Sequence, residues 1–277
     1  MKRRIPVFKA TWKTIDNAIE RAAKFAKKTP GSDYRKVSAN DIRDQFIYRG
    51  QSDARWDLET SLERHLKRPV KIGEYESFAC EVANCMKGLV SKIPKIKKKG
   101  HWLRSYAYQL EKEHALLNQT LLSHLRHYGL PSPLLDWSNS WYVALFFAFS
   151  EISKGSEKAA VYIQLPPLKR KSERLFKAAP GIHRVNPGYN PNRRHFDQKC
   201  VHTISINLVE DKESFVTHEE AACGSFIAKI EIKASERDYI MKRLSEMGIS
   251  RFKLYGDEDS LVKDIWDEKK AKLLRSK

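Results

Sequence analysis

A chain of 277 residues with 41% hydrophobic content is long and apolar enough to bury a core and fold by itself, as one large domain or a domain with an appended lobe. No run approaches the roughly 18 apolar residues of a membrane span, and Met1-Lys2-Arg3-Arg4 is followed by no apolar segment, so a cytoplasmic protein is expected. The formal charge of +18 favours a polyanionic partner, RNA or DNA, or an acidic antitoxin-like protein.

That charge is unevenly placed. Residues 1–50 carry 13 Lys/Arg against 5 Asp/Glu and residues 151–200 carry 11 against 4, whereas residues 101–150 are balanced at 3 against 3. Two basic blocks therefore flank a neutral centre, and nucleic-acid binding through them would depend steeply on salt. Cys80, Cys85, Cys200 and Cys223 lack CxxC spacing and have no histidine pair at zinc-finger spacing, so free thiols and no metal are expected.

Taken in order, the chain opens with a helix over Thr11–Lys28, where Trp12, Ile15, Ile19, Ala22, Ala23 and Phe25-Ala26 recur at helical spacing and Pro30-Gly31 stops them. Gln45–Gly50 reads as a short buried strand that ends at a glycine, with Arg49 charged at its end. A guanidinium there suits bidentate grip of a phosphate or carboxylate, or pairing with Asp44, Asp53 or Asp57. A polar turn containing Trp56 leads to a helix capped by Thr60 or Ser61, and Glu74–Leu89 gives another. Ser91–Gly100 is a basic, proline-interrupted loop before a helix over 109–128.

The core segment is Leu121–Ser150, read as two buried helices separated by a compact turn at Gly129, Pro131 and Pro133. His127, Asp136, Trp137 and Ser138 fall at that turn, with Ser138 or Asn139 available to cap the second helix. Strands are expected at Ala159–Leu165, Thr203–Val209 and Ser225–Ile232, and an irregular basic loop over 168–199. A helix at about 235–247, a strand at 250–255 and a short helix from about Asp259 complete the chain. Short strands mixed with helices, without GxGxxG or GxxxxGK[ST], indicate an α+β domain rather than a Rossmann or P-loop fold.

Three stretches together resemble the FRG domain family. They are Tyr48-Arg49-Gly50-Gln51-Ser52 with Trp56 and Leu58, then His127-Tyr128-Gly129-Leu130-Pro131-Ser132-Pro133-Leu134-Leu135-Asp136-Trp137-Ser138 against HYGLPTRLLDWT, and Arg194 to Thr203 against an arginine followed by QxGxFT. Ser132-Pro133 stands where the family has Thr-Arg, Ser138 where it has threonine, Cys200 where it has glycine and His202 where it has phenylalanine. The resemblance implies a domain over residues 45–265, with an N-terminal helical extension at 1–44 and a basic C-terminal tail at 266–277.

The family's layout is similar to that of ADP-ribosyltransferases, which implies a single mixed domain with a split sheet and N-terminal helices, and NAD as substrate. Arg49 would clamp the pyrophosphate and Gln198 orient ribose hydroxyls or the acceptor; these two are the catalytic candidates. Tyr48, Gly50, Gln51, His127, Tyr128, Asp136, Trp137 and Ser138 join Arg49 in binding the dinucleotide, with Tyr128 or Trp137 stacking on a ring. Asp136, Asp197, Glu219 or Glu220 remain candidates for a base. The expected activity is ADP-ribosylation of a nucleic acid, RNA favoured, by a toxin of a toxin–antitoxin or anti-phage system. The alternatives are a non-catalytic nucleic-acid-binding module and a ribonuclease using His127 and Asp136.

Overall fold

The structure, a computed structural model, describes residues 5–29, 33–92, 126, 129–165, 180–185, 200–221 and 225–275. The expected loop at 93–100, most of the helix at 109–128, and His127, Tyr128, Asp197 and Gln198 lie outside the described residues.

Nine described strands form one mixed sheet. In chain order they are β1 (Val7–Ala10), β2 (Ile47–Gln51), β3 (Val70–Lys71), β4 (Leu135–Ser138), β5 (Lys158–Leu165), β6 (Gly181–Val185), β7 (Cys200–Val209), β8 (Lys212–Phe215) and β9 (Phe226–Lys233). Their order across the sheet is β1-β9-β5-β2-β4-β7-β8-β3, with β6 also on β7. Only β1 and β9 run parallel among these pairs. β5 is buried almost throughout because β2 and β9 flank it, which is why Ala159–Leu165 is so evenly apolar.

The α+β expectation holds. α1 (Ile15–Lys28) buries Ile15, Ala18, Ile19, Ala22, Ala23 and Ala26, an apolar stripe at helical period. The helices α2 (Ala39–Asp44), α3 (Ser61–Leu66) and α4 (Ile72–Lys92) follow, with Thr60 and Glu63 satisfying each other's amides in a capping box at the start of α3. α5 (Trp141–Ser150) lies across β2 and packs with α1, β5 and β9 into the main core.

Four expectations are corrected. Asp136-Trp137-Ser138 is not a turn between helices: Leu135–Ser138 is β4, laddered onto β7 with Asp136 opposite His202. Residues 250–255 form no strand, because Ser250 accepts the Lys253 amide and Gly256 adopts positive φ, which closes the single-turn helix α7 (Arg251–Tyr255) after α6 (Arg237–Glu246). The stretch 168–199, expected to be irregular, contains a strand, β6; residues 7–28 supply β1 to the sheet and α1 to the core. α8 (Glu258–Arg275) is longer than the short helix expected and runs without a break across position 265/266.

Candidate functional site

The site begins where the sheet comes apart. β2 pairs with β5 along its whole length, yet meets β4 at one residue pair, Tyr48 opposite Ser138. Beyond that pair the two strands diverge, leaving a cleft of about 770 Å³ whose lining includes Arg49, Gln51, Trp56, Arg64, Asp136 and Cys200. That volume lies within the range of sites that enclose small molecules.

Gly50 sets how closely β2 sits on α5. A Cβ at this position would lie 1.9 Å from the Ala144 carbonyl oxygen and 2.6 Å from the Ala148 amide nitrogen. Both neighbours are backbone and neither can step aside, so the strand approaches the helix only as glycine. The small side chains of Ala144 and Ala148, one turn apart, complete the seat.

Arg49 reaches over the gap that opens next to Gly50. Its Nη1 donates to the Asp136 carbonyl oxygen at 2.9 Å, while its Nε is buried with no hydrogen-bond partner among the described residues. Burial lowers the Arg49 pKa to about 10, against the opposing pull of the Asp136 carboxylate, so the guanidinium stays charged at neutral pH. Two residues on, Gln51 Nε2 donates to the Asp57 carbonyl oxygen at 3.1 Å and leaves its buried Oε1 without a partner among the described residues.

The opposite wall is pinned. Arg126 donates from Nε at 3.1 Å and from Nη2 to Asp136 Oδ2, and His202 Nε2 lies 3.2 Å from Asp136 Oδ1. Burial would raise the Asp136 carboxyl, but Arg126, His202 and Arg49 outweigh it and hold the group well below the usual carboxylate range. Trp137 is 3% exposed and its Nε1 donates to Thr203 Oγ1 at 2.7 Å; the same oxygen lies 2.7 Å from Nε2 of the fully buried His218. Burial and the Arg49 charge push His218 down to about 3, so it is neutral. Ser138 Oγ accepts from the Ser140 amide at 3.1 Å, just ahead of α5.

Tyr48, Arg49, Gly50, Gln51, Asp136, Trp137 and Ser138, proposed separately from two distant motifs, all border this one cleft. The indole of Trp137 is bound into the core and is not presented for stacking. Arg49 pairs with none of Asp44, Asp53 or Asp57; Asp53 is taken by Arg55 instead. Glu219 and Glu220 are not among the lining residues, and Glu220 accepts from the Thr217 amide.

Sequence reasoning missed Glu59 and Arg64 at the cleft, and did not assign Trp56 or Asp57 to it. The available signal was the Thr60-x-x-Glu63 capping box, which fixes where the 52–59 segment enters α3. That segment is tied down from both sides, since Tyr162 Oη donates to the Trp56 carbonyl oxygen at 2.9 Å and Gln51 holds that of Asp57.

Among the described residues no helix is long and apolar enough to cross a membrane. No curated protein and no solved structure matches the chain. A family described as the FRG domain does match, over residues 44–157. This span contains β2, β4 and α5, hence Arg49, Gly50 and the Asp136–Ser138 wall, and it ends just as β5 begins. Strands β2 and β4, which wall the cleft, and the helix that seats them therefore all lie within residues 44–157, the stretch that matches the FRG domain.

Proposed function

We propose that the cleft binds NAD as a substrate and that the protein is an ADP-ribosyltransferase acting on a nucleic acid, with RNA the favoured acceptor. The observation that carries this reading is the pair of unsatisfied polar atoms on β2, Arg49 Nε and Gln51 Oε1, buried in the wall of a cleft of about 770 Å³. Buried polar groups left without partners are costly, and a ligand with a phosphate beside a hydroxyl would satisfy both. A pyrophosphate next to ribose has that chemistry.

In the proposed reaction the bond between ribose C1′ and the nicotinamide nitrogen breaks, nicotinamide leaves with the bonding pair, and a nitrogen or oxygen of the acceptor forms the new bond to C1′. The acceptor's proton passes to a carboxylate. Asp57 and Glu59 line the cleft, whereas Asp136 is engaged by Arg126, so the first two fit that role better. Arg49 would hold the pyrophosphate while positive charge develops at C1′, and Arg64 adds a second cation to the lining. The net charge of +18 would bring a nucleic acid to the cleft or an acidic antitoxin over it.

The test is to incubate the full chain with NAD labelled in its adenosine half and with separate RNA, DNA and protein pools, following free nicotinamide at the same time. Label in RNA matched by nicotinamide release is the expected result. NAD left intact in every pool refutes the enzyme reading.

A further inference from the structure

We propose that Asp136, Cys200 and His202 form a zinc-class metal site with one coordination position open to the cleft. The three residues come together through register rather than through spacing. Cys200 and His202 are two apart on β7 and so share a face of the sheet, and β4 places Asp136 directly opposite His202. One ligating atom from each lies within 4.8 Å of the other two.

Two of their three separations match those of a coordination shell. Cys200 Sγ lies 3.5 Å from His202 Nε2, which lies 3.2 Å from Asp136 Oδ1. A tetrahedral ion with metal–sulfur bonds of about 2.3 Å and metal–nitrogen or metal–oxygen bonds of about 2.0–2.1 Å has sulfur–nitrogen edges of about 3.5 Å and nitrogen–oxygen edges of about 3.3 Å. Both edges that meet at His202 are thus already at bonded separations, and the third, between Cys200 and Asp136, is within 4.8 Å.

The surroundings suit an ion as well. Arg126 holds Asp136 Oδ2 from behind and so turns Oδ1 toward the imidazole, the arrangement by which an outer group orients a ligating carboxylate. His202 is 1% exposed, which fixes its ring, while Asp136 and Cys200 line the cleft. A bound ion would therefore be reached from the cleft, as in sites with three protein ligands and a fourth position for water or substrate. One thiolate, one imidazole and one carboxylate select zinc or cobalt over magnesium or calcium. Burial and the Asp136 carboxylate push the Cys200 thiol up, so binding must displace its proton.

The proposal is independent of NAD use and is tested with cobalt(II) alone on the reduced full chain. One equivalent is expected to give four-coordinate d–d bands and a sulfur-to-metal charge-transfer band, with one proton released; zinc should then abolish both bands without any proton being taken back up. The triple variant Cys80→Ser, Cys85→Ser, Cys223→Ser should keep the charge-transfer band, and Cys200→Ser should lose it with an unchanged far-UV spectrum. Absence of the band in the unaltered chain, its loss in the triple variant, or its survival in Cys200→Ser overturns the proposal and leaves the three side chains a hydrogen-bonded cluster. Should Cys200→Ser fail to fold, the unaltered chain and the triple variant decide.

Discussion

Arg49 Nη1 donates to the main-chain oxygen of Asp136 at 2.9 Å, across the line where β2 leaves β4. One guanidinium thus substitutes for the backbone ladder at the split and keeps a second donor, Nε, directed at nothing among the described residues. If the cleft binds a phosphate as proposed, structural and ligand-binding duties fall to different nitrogens of the same side chain. They separate under substitution.

Arg49→Lys keeps the charge but replaces a planar fork with a point donor, so it cannot serve the Asp136 carbonyl and a phosphate together. Arg49→Ala removes both. With NAD as substrate, turnover is expected to fall by at least about 100-fold in the alanine variant, roughly the loss of one or two charge-assisted hydrogen bonds. The lysine variant should lie between, with the circular dichroism of both unchanged. A folded alanine variant that still releases nicotinamide at the original rate would remove Arg49 from the reaction.

Gly50→Ala tests the seat of β2 on α5. The added methyl meets backbone at 1.9 Å and 2.6 Å, so strand or helix must move, at a cost of about 3 kcal/mol or more in unfolding free energy. Gly73→Ala is the control: nothing lies within 4 Å of its added Cβ, and the residue is in the first turn of α4. It should be neutral or slightly stabilising. Denaturant midpoints moving equally in the two variants would discard the close-approach explanation.

What could be read from the sequence follows the physical range of each signal. α1 was legible because six buried residues repeat at helical period, and β5 and β9 because long runs of apolar or alternating side chains leave little choice. β2 was legible from the buried run Phe46-Ile47-Tyr48 ahead of Arg49-Gly50, and Arg49, singled out on it, lines the cleft. β4 was not. Four residues are too few to display alternation, the prolines ahead of them imitate a turn, and their partner Cys200–Thr203 lies more than sixty residues on. β1 was missed for the same reason, its partner β9 being most of the chain away. Residues 251–255 alternate like a strand, and only the caps at Ser250 and Gly256 reveal one helical turn. The meeting of Asp136, Cys200 and His202 depends on register between two strands, which no counting of cysteine spacings can supply.

Glu63 gives a pH signature distinct from that of an ordinary surface carboxylate. Burial raises it from 4.5 to about 7, even though the Thr60 amide and hydroxyl favour the charged form. Below about pH 4.5 the folded and unfolded chains both hold the proton; between there and about pH 7 only the folded chain does, so this group's contribution to stability falls as pH rises and stays low above the window. Glu63→Gln keeps an acceptor for the Thr60 amide and cannot ionise. The variant should match the unaltered chain at pH 4 and exceed it at pH 8 by up to about 3 kcal/mol in urea unfolding. An unchanged difference between the two proteins from pH 4 to pH 8 would show that Glu63 does not titrate in this window.

The excess of basic side chains in residues 1–50 and 151–200 makes a prediction separable from catalysis. If RNA is held mainly by its phosphates, each contact releases a counter-ion, and about six contacts to a single strand give a log–log slope of affinity against salt of about −4. Arg49→Ala should leave that slope almost unchanged while ending NAD turnover, because one cleft arginine adds little to a surface with a net charge of +18. Filter binding across 50–300 mM salt measures the slope directly. A flat response would take nucleic acid off the list of partners and shift attention to an acidic protein. A slope that collapses with Arg49 alone would place the RNA backbone inside the cleft, where the dinucleotide is proposed to lie, and the two ligands would then compete.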